Sequence, residues 1–162
     1  MRKPDALKQW LVTQVEHLRD HPETLSLFTD GGRVVCRATG TLSFEQRYKL
    51  NLVVQDFAGD LNAIFVPLLA WISLEQPDLF DRAPSEPFTF ESEILDSGAQ
   101  DVSIDLELTE LVRVEVVDGA WSITDVPDCP RVDTFPGVET TVTLWHAAAE
   151  DVGTGDTVAV GG

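Results

Sequence analysis

The stretch Ser43–Trp71 constrains the fold more than any other part of the chain, because its hydrophobic period switches from two to about 3.6 partway along. Phe44, Tyr48, Leu50, Leu52 and Val54 sit at even positions and Glu45, Arg47, Lys49 and Asn51 at odd ones, with Gln46 the exception. Successive strand side chains point to opposite faces, so this half reads as a half-buried strand. Leu61, Ile64, Phe65, Leu68, Leu69 and Ile72 then recur at helical spacing and predict a wide apolar stripe. Between the halves, Asp56–Asp60 (DFAGD) supplies turn-forming Gly and Asp, and Asp60 is placed to cap the helix by accepting from one of its first amides. A strand and a helix with these faces bury them against each other, which makes the segment the expected core.

The rest of the chain is built around it. Lys3-Pro4-Asp5 opens a first helix, with proline tolerated at a start and Asp5 able to cap. Leu7, Leu11, Val15 and Leu18, joined by Trp10 and Gln14, form its buried stripe, and Pro22 ends it near Asp20 by disfavouring helical geometry at His21. Pro22–Phe28 is expected to add a short turn of helix with Leu25 and Phe28 facing in, and Asp30-Gly31-Gly32 to break the pattern. Arg33–Thr41 reads as a strand in a hairpin whose turn lies near Gly40–Ser43. In the central helix Pro67 has no amide for the carbonyl of Ala63, which predicts a kink or a restart, and the helix finishes before Pro77.

Asp81–Pro87 is a turn-rich loop, Phe88–Leu95 a strand, and Asp96-Ser97-Gly98 its turn. Asp101–Val117 is the longest alternating run, with Val102, Ile104, Leu106 and Leu108 on one face; Asp118-Gly119 is a two-residue hairpin signal and Ala120–Val126 the returning strand. Val138–Trp145 alternates again and is expected as a detached strand pairing with the sheet or with a neighbouring subunit, ahead of a mobile Gly-rich end at Gly153–Gly162. The expected fold class is α+β, a mainly antiparallel sheet with two principal helices packed on it. Residues 1–126 form the domain and residues 127–162 a C-terminal extension.

Charge excludes more than it identifies. With 28 acids against 11 bases the formal charge is −17, which argues against holding DNA through its phosphates, since that needs clustered Lys and Arg. A chain of 162 residues is long enough to bury roughly 70% of its unfolded surface without staples. Cys36 and Cys129 are too few for a disulfide framework and no charged-then-apolar leader opens the chain, so a reduced cytoplasm is the default compartment. The apolar run within Leu61–Leu74 is interrupted by Asn62, Pro67 and Ser73 and is too short for a membrane span.

No catalytic constellation emerges. His17 and His21 share a helical face as half of a metal site would, but no HExxH pattern or paired cysteines accompany them, and solvated helix-end histidines are the better reading. Gly31-Gly32 lacks the spacing and the following Lys of a phosphate cradle. Asp105 and Glu107 could face one side of a strand as acid and base, yet among so many acids a solvated face is the simpler account. Trp10, Trp71, Trp121 and Trp145 lie among apolar residues, as core or interface tryptophans do. No catalytic, metal or cofactor-binding residue is therefore assigned.

Several short motifs, in order, carry a resemblance. Lys3-Pro4-Asp5 with Leu7, Leu42-Ser43-Phe44-Glu45, Arg47-Tyr48, Leu50-Asn51, Asp56-Phe57, Gly59-Asp60 and Val66-Pro67 with Leu69-Ala70-Trp71 are followed by Gln76-Pro77-Asp78, Phe88-Thr89-Phe90, Leu108-Thr109-Glu110 and Val117-Asp118-Gly119-Ala120. The set resembles the tail completion protein R (GpR) family of contractile-tailed temperate phages. The resemblance implies a non-enzymatic virion protein with a fold like that of phage tail terminators. It would assemble as a ring, commonly hexameric, on the head-proximal end of the tail tube, stopping its growth and offering a surface to the neck or head. The implied partners are other copies of the chain, the tail tube protein, and sheath and neck or head-completion proteins. The implied place is the virion tail, assembled in the host bacterial cytoplasm without membrane or cofactor, and genomic DNA passes without being specifically bound.

Within the matching segment Glu45, Arg47, Lys49, Asp56 and Asp60 are the interface candidates. The competing structural account is that Asp60 caps, Asp56 stabilises the turn and Glu45 and Arg47 solvate a strand. Acids lining a channel would repel passing DNA, whereas a wall of Arg33, Arg37 and Arg47 would hold it. A neck connector that does not terminate the tube, a small acidic binding or inhibitor module, and a small hydrolase are the alternatives.

Overall fold

The structure is a computed structural model describing residues 1–37 and 40–128. Five antiparallel strands make one sheet: β1 (Leu25–Cys36), β2 (Phe44–Phe57), β3 (Thr89–Ile94), β4 (Gln100–Val117) and β5 (Ala120–Val126). The order is β1-β2-β4-β3, with β5 also paired to β4. In the register, Tyr48 faces Leu108, Leu50 faces Leu106, Leu52 faces Ile104 and Val54 faces Val102. Directly opposed residues share a face. All eight are buried, so the two alternating runs put their apolar sides together as their periods require.

Helices α1 (Lys3–Gln14), α2 (Glu16–Asp20) and α3 (Asn62–Glu75) cover that face. Leu7, Leu11, Val15 and Leu18 are buried from the N-terminal helical segment, and Ile64, Pro67, Leu68, Trp71 and Ile72 from α3. The fold is therefore α+β and mainly sheet. The stripe on α3 is rotated from the expected one: Pro67 and Trp71 face the core, while Leu69 is exposed. The helix also runs through Pro67 without restarting, and the Pro67 carbonyl accepts from Trp10 Nε1 at 2.8 Å, which docks α1 on α3.

Other departures have local causes. The first helix is interrupted at Val15, whose backbone is extended (φ −100°, ψ 117°), and Arg19 donates from its side chain to the Thr13 carbonyl at 2.7 Å across the break. Pro22–Thr24 is a 3-10 turn, but Leu25–Phe28 already belongs to β1, so strand alternation sends Leu25 in and leaves Phe28, paired with Asn51, on the opposite, exposed face. Asp30-Gly31-Gly32 does not end the element. The register passes from Thr29 opposite Leu50 to Gly32 opposite Tyr48, so Asp30 and Gly31 together oppose Lys49 as a bulge, with Gly31 at φ 82°. Asp118 and Gly119 have positive φ (52° and 78°), the two-residue turn expected there. The expected strand at Val138–Trp145 and the Gly-rich end lie outside the described residues.

Strand β4 is the hub. At Leu111 and Val112 it pairs with β2 on one edge and β5 on the other, and at Gln100–Asp105 it pairs with β2 and β3. Its second edge is thus shared by β3 and β5, with residues 106–110 between them unpaired to any described strand on that side. Gln76, the buried residue that ends α3, fills this gap: its Oε1 accepts the Thr109 amide at 3.0 Å and its Nε2 donates to Thr109 Oγ1 at 2.9 Å.

Candidate interaction surface

Two polar arrangements stand out, one buried and one open. The buried one clasps the N-terminus to the sheet gap. Glu110 is on the covered face of β4, where α1 begins, and accepts the Arg2 amide at 2.7 Å, the Lys3 amide at 3.3 Å and the Tyr48 hydroxyl. A carboxylate at a helix start takes up amides that have no partner in the helix and complements the helix dipole. Glu110 thus takes the capping role expected of Asp5, which lies in the first turn of α1. Burial works against its charge, but the bonds from Tyr48, Arg2 and Lys3 outweigh this and hold its carboxyl below the ordinary glutamate range. The same burial, then the bond to Glu110, pushes the Tyr48 hydroxyl far up. Lys3 is buried beside them; its Nζ donates to Gln76 Oε1 at 2.6 Å and pairs with Asp128, and Arg2 pairs with Glu75 at 2.7 Å.

The open arrangement is the other face of the sheet, where the odd residues of β2 and β4 project. Glu45 and Arg47 pair at 2.8 Å, Lys49 and Asp105 at 2.8 Å, and Asn51 bridges Asp105 (2.9 Å) and Ser103 (2.8 Å). The Arg47 bond is the chief reason the Glu45 carboxyl titrates lower than usual, and the Lys49 and then the Asn51 bonds do the same for Asp105. Arg82 reaches in from the loop before β3 to Glu107 at 3.0 Å. An open cleft of about 670 Å³ lies here, lined by Arg33, Glu45, Arg47, Lys49, Arg82 and Glu107 among others.

The interface candidates fall in two groups. Glu45, Arg47 and Lys49 share the open face, whereas Asp56 lies in the last residues of β2 and Asp60 in the turn that leads from it to α3. Asp56 has φ 53° and its amide donates to Asp101 Oδ1 at 2.9 Å; Asp60 Oδ1 accepts the Asn62 amide at 2.9 Å, the cap its position predicts. Among the described residues no group of three or more His, Cys, Asp or Glu could hold a metal ion. His17 packs edge-on against Phe57 at 5.1 Å, beside His21 at 5.5 Å, and Cys36 is exposed.

The family model of P2 phage tail completion protein R (GpR) matches residues 1–130. The chain belongs to this family. Tail completion protein R of Escherichia phage P2 is 39% identical over 132 residues, which span 80% of this chain and 85% of that protein. No solved structure matches. As a GpR-family member the chain is a structural protein of phage tail completion and not an enzyme, found in the virion tail among other tail components.

The structure also brings together residues from several of the short stretches that carry the resemblance. Lys3 of the first motif, Tyr48, Gln76, and Thr109 and Glu110 are far apart in sequence and meet in the buried clasp. Sequence reading misses the clasp as a unit. The one available signal is a polar residue at an apolar-phase position, since Glu110 continues the even series of Leu106 and Leu108.

Proposed function

We propose that this chain terminates the tail tube as a ring, six copies being the expected number, on the head-proximal end of the tube. Growth stops because the ring covers the last tube subunits, and its far side receives the neck or head-completion proteins, with the sheath alongside. What supports the reading, beyond family membership, is the sheet face opposite α1, α2 and α3, which carries Glu45, Arg47 and Lys49 around an open cleft. Charges of both signs on an open face suit a partner of complementary charge, which sets specificity and rate of encounter more than affinity. Subunits are made in the host bacterial cytoplasm and recruited to the finished tube. In this reading residues 1–126 are the tail-completion domain and residues 127–162 its C-terminal extension.

Genomic DNA passes the ring without being held. Arg33, Arg47, Lys49 and Arg113 share the open face by register, so in this reading that face meets protein, and acids elsewhere line the passage. Deleting the gene and imaging tails by electron microscopy tests the proposal. Tubes of uncontrolled length are expected; tails of normal length without heads would mean a neck connector instead.

A further inference from the structure

We infer that β5 of one copy pairs, edge to edge and antiparallel, with β1 of a second copy; this deepens the ring reading above and rests on it. The two strands lie on opposite edges of the sheet and share a level only at their ends, in the rows Cys36, Phe44, Val112, Asp125 and Val35, Glu45, Leu111, Val126, so the second copy is shifted by two residues along the strands, which sets its Cys36 opposite Ile123. Three strand spacings, roughly 14 Å, separate them, so within one chain they do not meet. Among the described residues neither outer edge pairs with another strand.

Both edges carry exposed apolar side chains on the same face. On β5, Trp121 is 63% and Ile123 69% exposed, next to Val116 at 64%; on β1, Val34 is 64% exposed. Register fixes the faces: Trp121 opposes Val116 and Ile123 opposes Val114, on the helix-covered side of β4, and Val34 opposes Gln46 on that same side of β2. A second copy continuing the sheet beyond β5 therefore brings its Val34 and Cys36 onto the side of Trp121 and Ile123. Strand direction agrees, since β1 and β4 run one way and β2 and β5 the other, so β5 next to a copy's β1 preserves the antiparallel order.

The edges are guarded only at their flanks, by Asp125 on β5 and by Arg33 and the Asp30-Gly31 bulge on β1. Free strands usually carry charges that block pairing, yet Ala120–Thr124 and Val34–Cys36 have none. β3, which shares the edge with β5, carries Glu91 and Glu93 instead. A contact between two different patches of the same chain is heterologous, the kind that makes a ring when the rotation between copies closes.

The test uses the full chain with Cys129→Ser, leaving Cys36 as its cysteine, and adds Ile123→Cys or, on the opposite face, Thr124→Cys. Oxidation should link Cys36 of one copy to Ile123→Cys of another, giving a ladder of linked chains, and Thr124→Cys should give none. Separately, Ile123→Lys should keep the wild-type circular dichroism spectrum and weaken self-association in sedimentation by at least about tenfold. Equal linking by both cysteine variants, self-association of Ile123→Lys like wild type, or a wild-type chain that is monomeric at every concentration each overturns the pairing. The last result would mean that the edges are covered from within the chain or by another tail component. If linking occurs but tails lacking the protein keep normal length, the terminator reading fails and the pairing stands. If length control is lost but no link forms, the pairing alone fails.

Discussion

At Glu110 three donors from distant parts of the chain converge on one carboxylate: the amides of Arg2 and Lys3 and the hydroxyl of Tyr48. Hydrogen bonds to a charged group are worth about 1.5–3 kcal/mol, so Glu110→Gln should destabilise the protein by that order in urea unfolding. The pH dependence has a definite sign. The folded carboxyl titrates below its unfolded value of about 4.3, so the unfolded chain binds the extra proton and stability rises with pH in between. The contribution is complete above the unfolded value and is lost as pH falls through the folded one. The gap between wild type and Glu110→Gln should therefore narrow on acidification over that window; an unchanged gap would show that the carboxylate charge is not what the clasp uses. Gly31 offers a contrasting case. It has φ 82°, and a Cβ at this position would point into open space with no atom within 4 Å, so the glycine is kept for its backbone and not for room. Gly31→Ala should cost about 1–2 kcal/mol by thermal unfolding, with β-structure retained.

The helices and strands are legible in outline because burial follows period. β4 and β5 lie within a residue of where the sequence predicts them, since a long alternating run followed by Asp118-Gly119 has few other solutions. Three local features escape a sequence reading. The break at Val15 leaves the buried stripe intact, so periodicity carries no trace of it. The Asp30-Gly31 bulge looks like a terminator because glycines break strands and form bulges alike, and only pairing with Lys49 tells the two apart. Phe28 is expected inside only while a helical period is applied, and the strand has already begun there. Docking of α1 on α3 depends on the Trp10–Pro67 hydrogen bond, a contact between helices that are paired only in the folded chain. Trp10→Phe keeps most of the ring and loses the donor, so it should cost about 1 kcal/mol with an unchanged denaturant slope. A larger loss with a changed slope would point to undocking of the whole N-terminal helix.

At the scale of the whole molecule, the two faces of the sheet differ in what they contribute to folding. The covered face holds the core and the clasp, and the open face holds exposed ion pairs such as Glu45–Arg47 that contribute little to folding. Arg47→Glu should therefore leave unfolding stability within about 0.5 kcal/mol of wild type while altering tail length or yield. Normal tails from this variant would remove Arg47 from the assembly surface. Composition alone argued against holding DNA through its phosphates, because a chain of charge −17 has few cations to spare. Hydrophobic period alone placed the inner faces of β2 and β4 and the stripe of the N-terminal helical segment, because each has one apolar face to bury, while the stripe of α3 and the side taken by Phe28 depended on the fold. The ordered motifs carried family membership. Tertiary structure decided what no local pattern encodes: that β4 is shared by three strands, that Gln76 closes the gap between two of them, and that motifs scattered from Lys3 to Glu110 form one clasp. Those facts depend on register and on contacts between residues far apart in the chain, and a sequence read one window at a time contains neither.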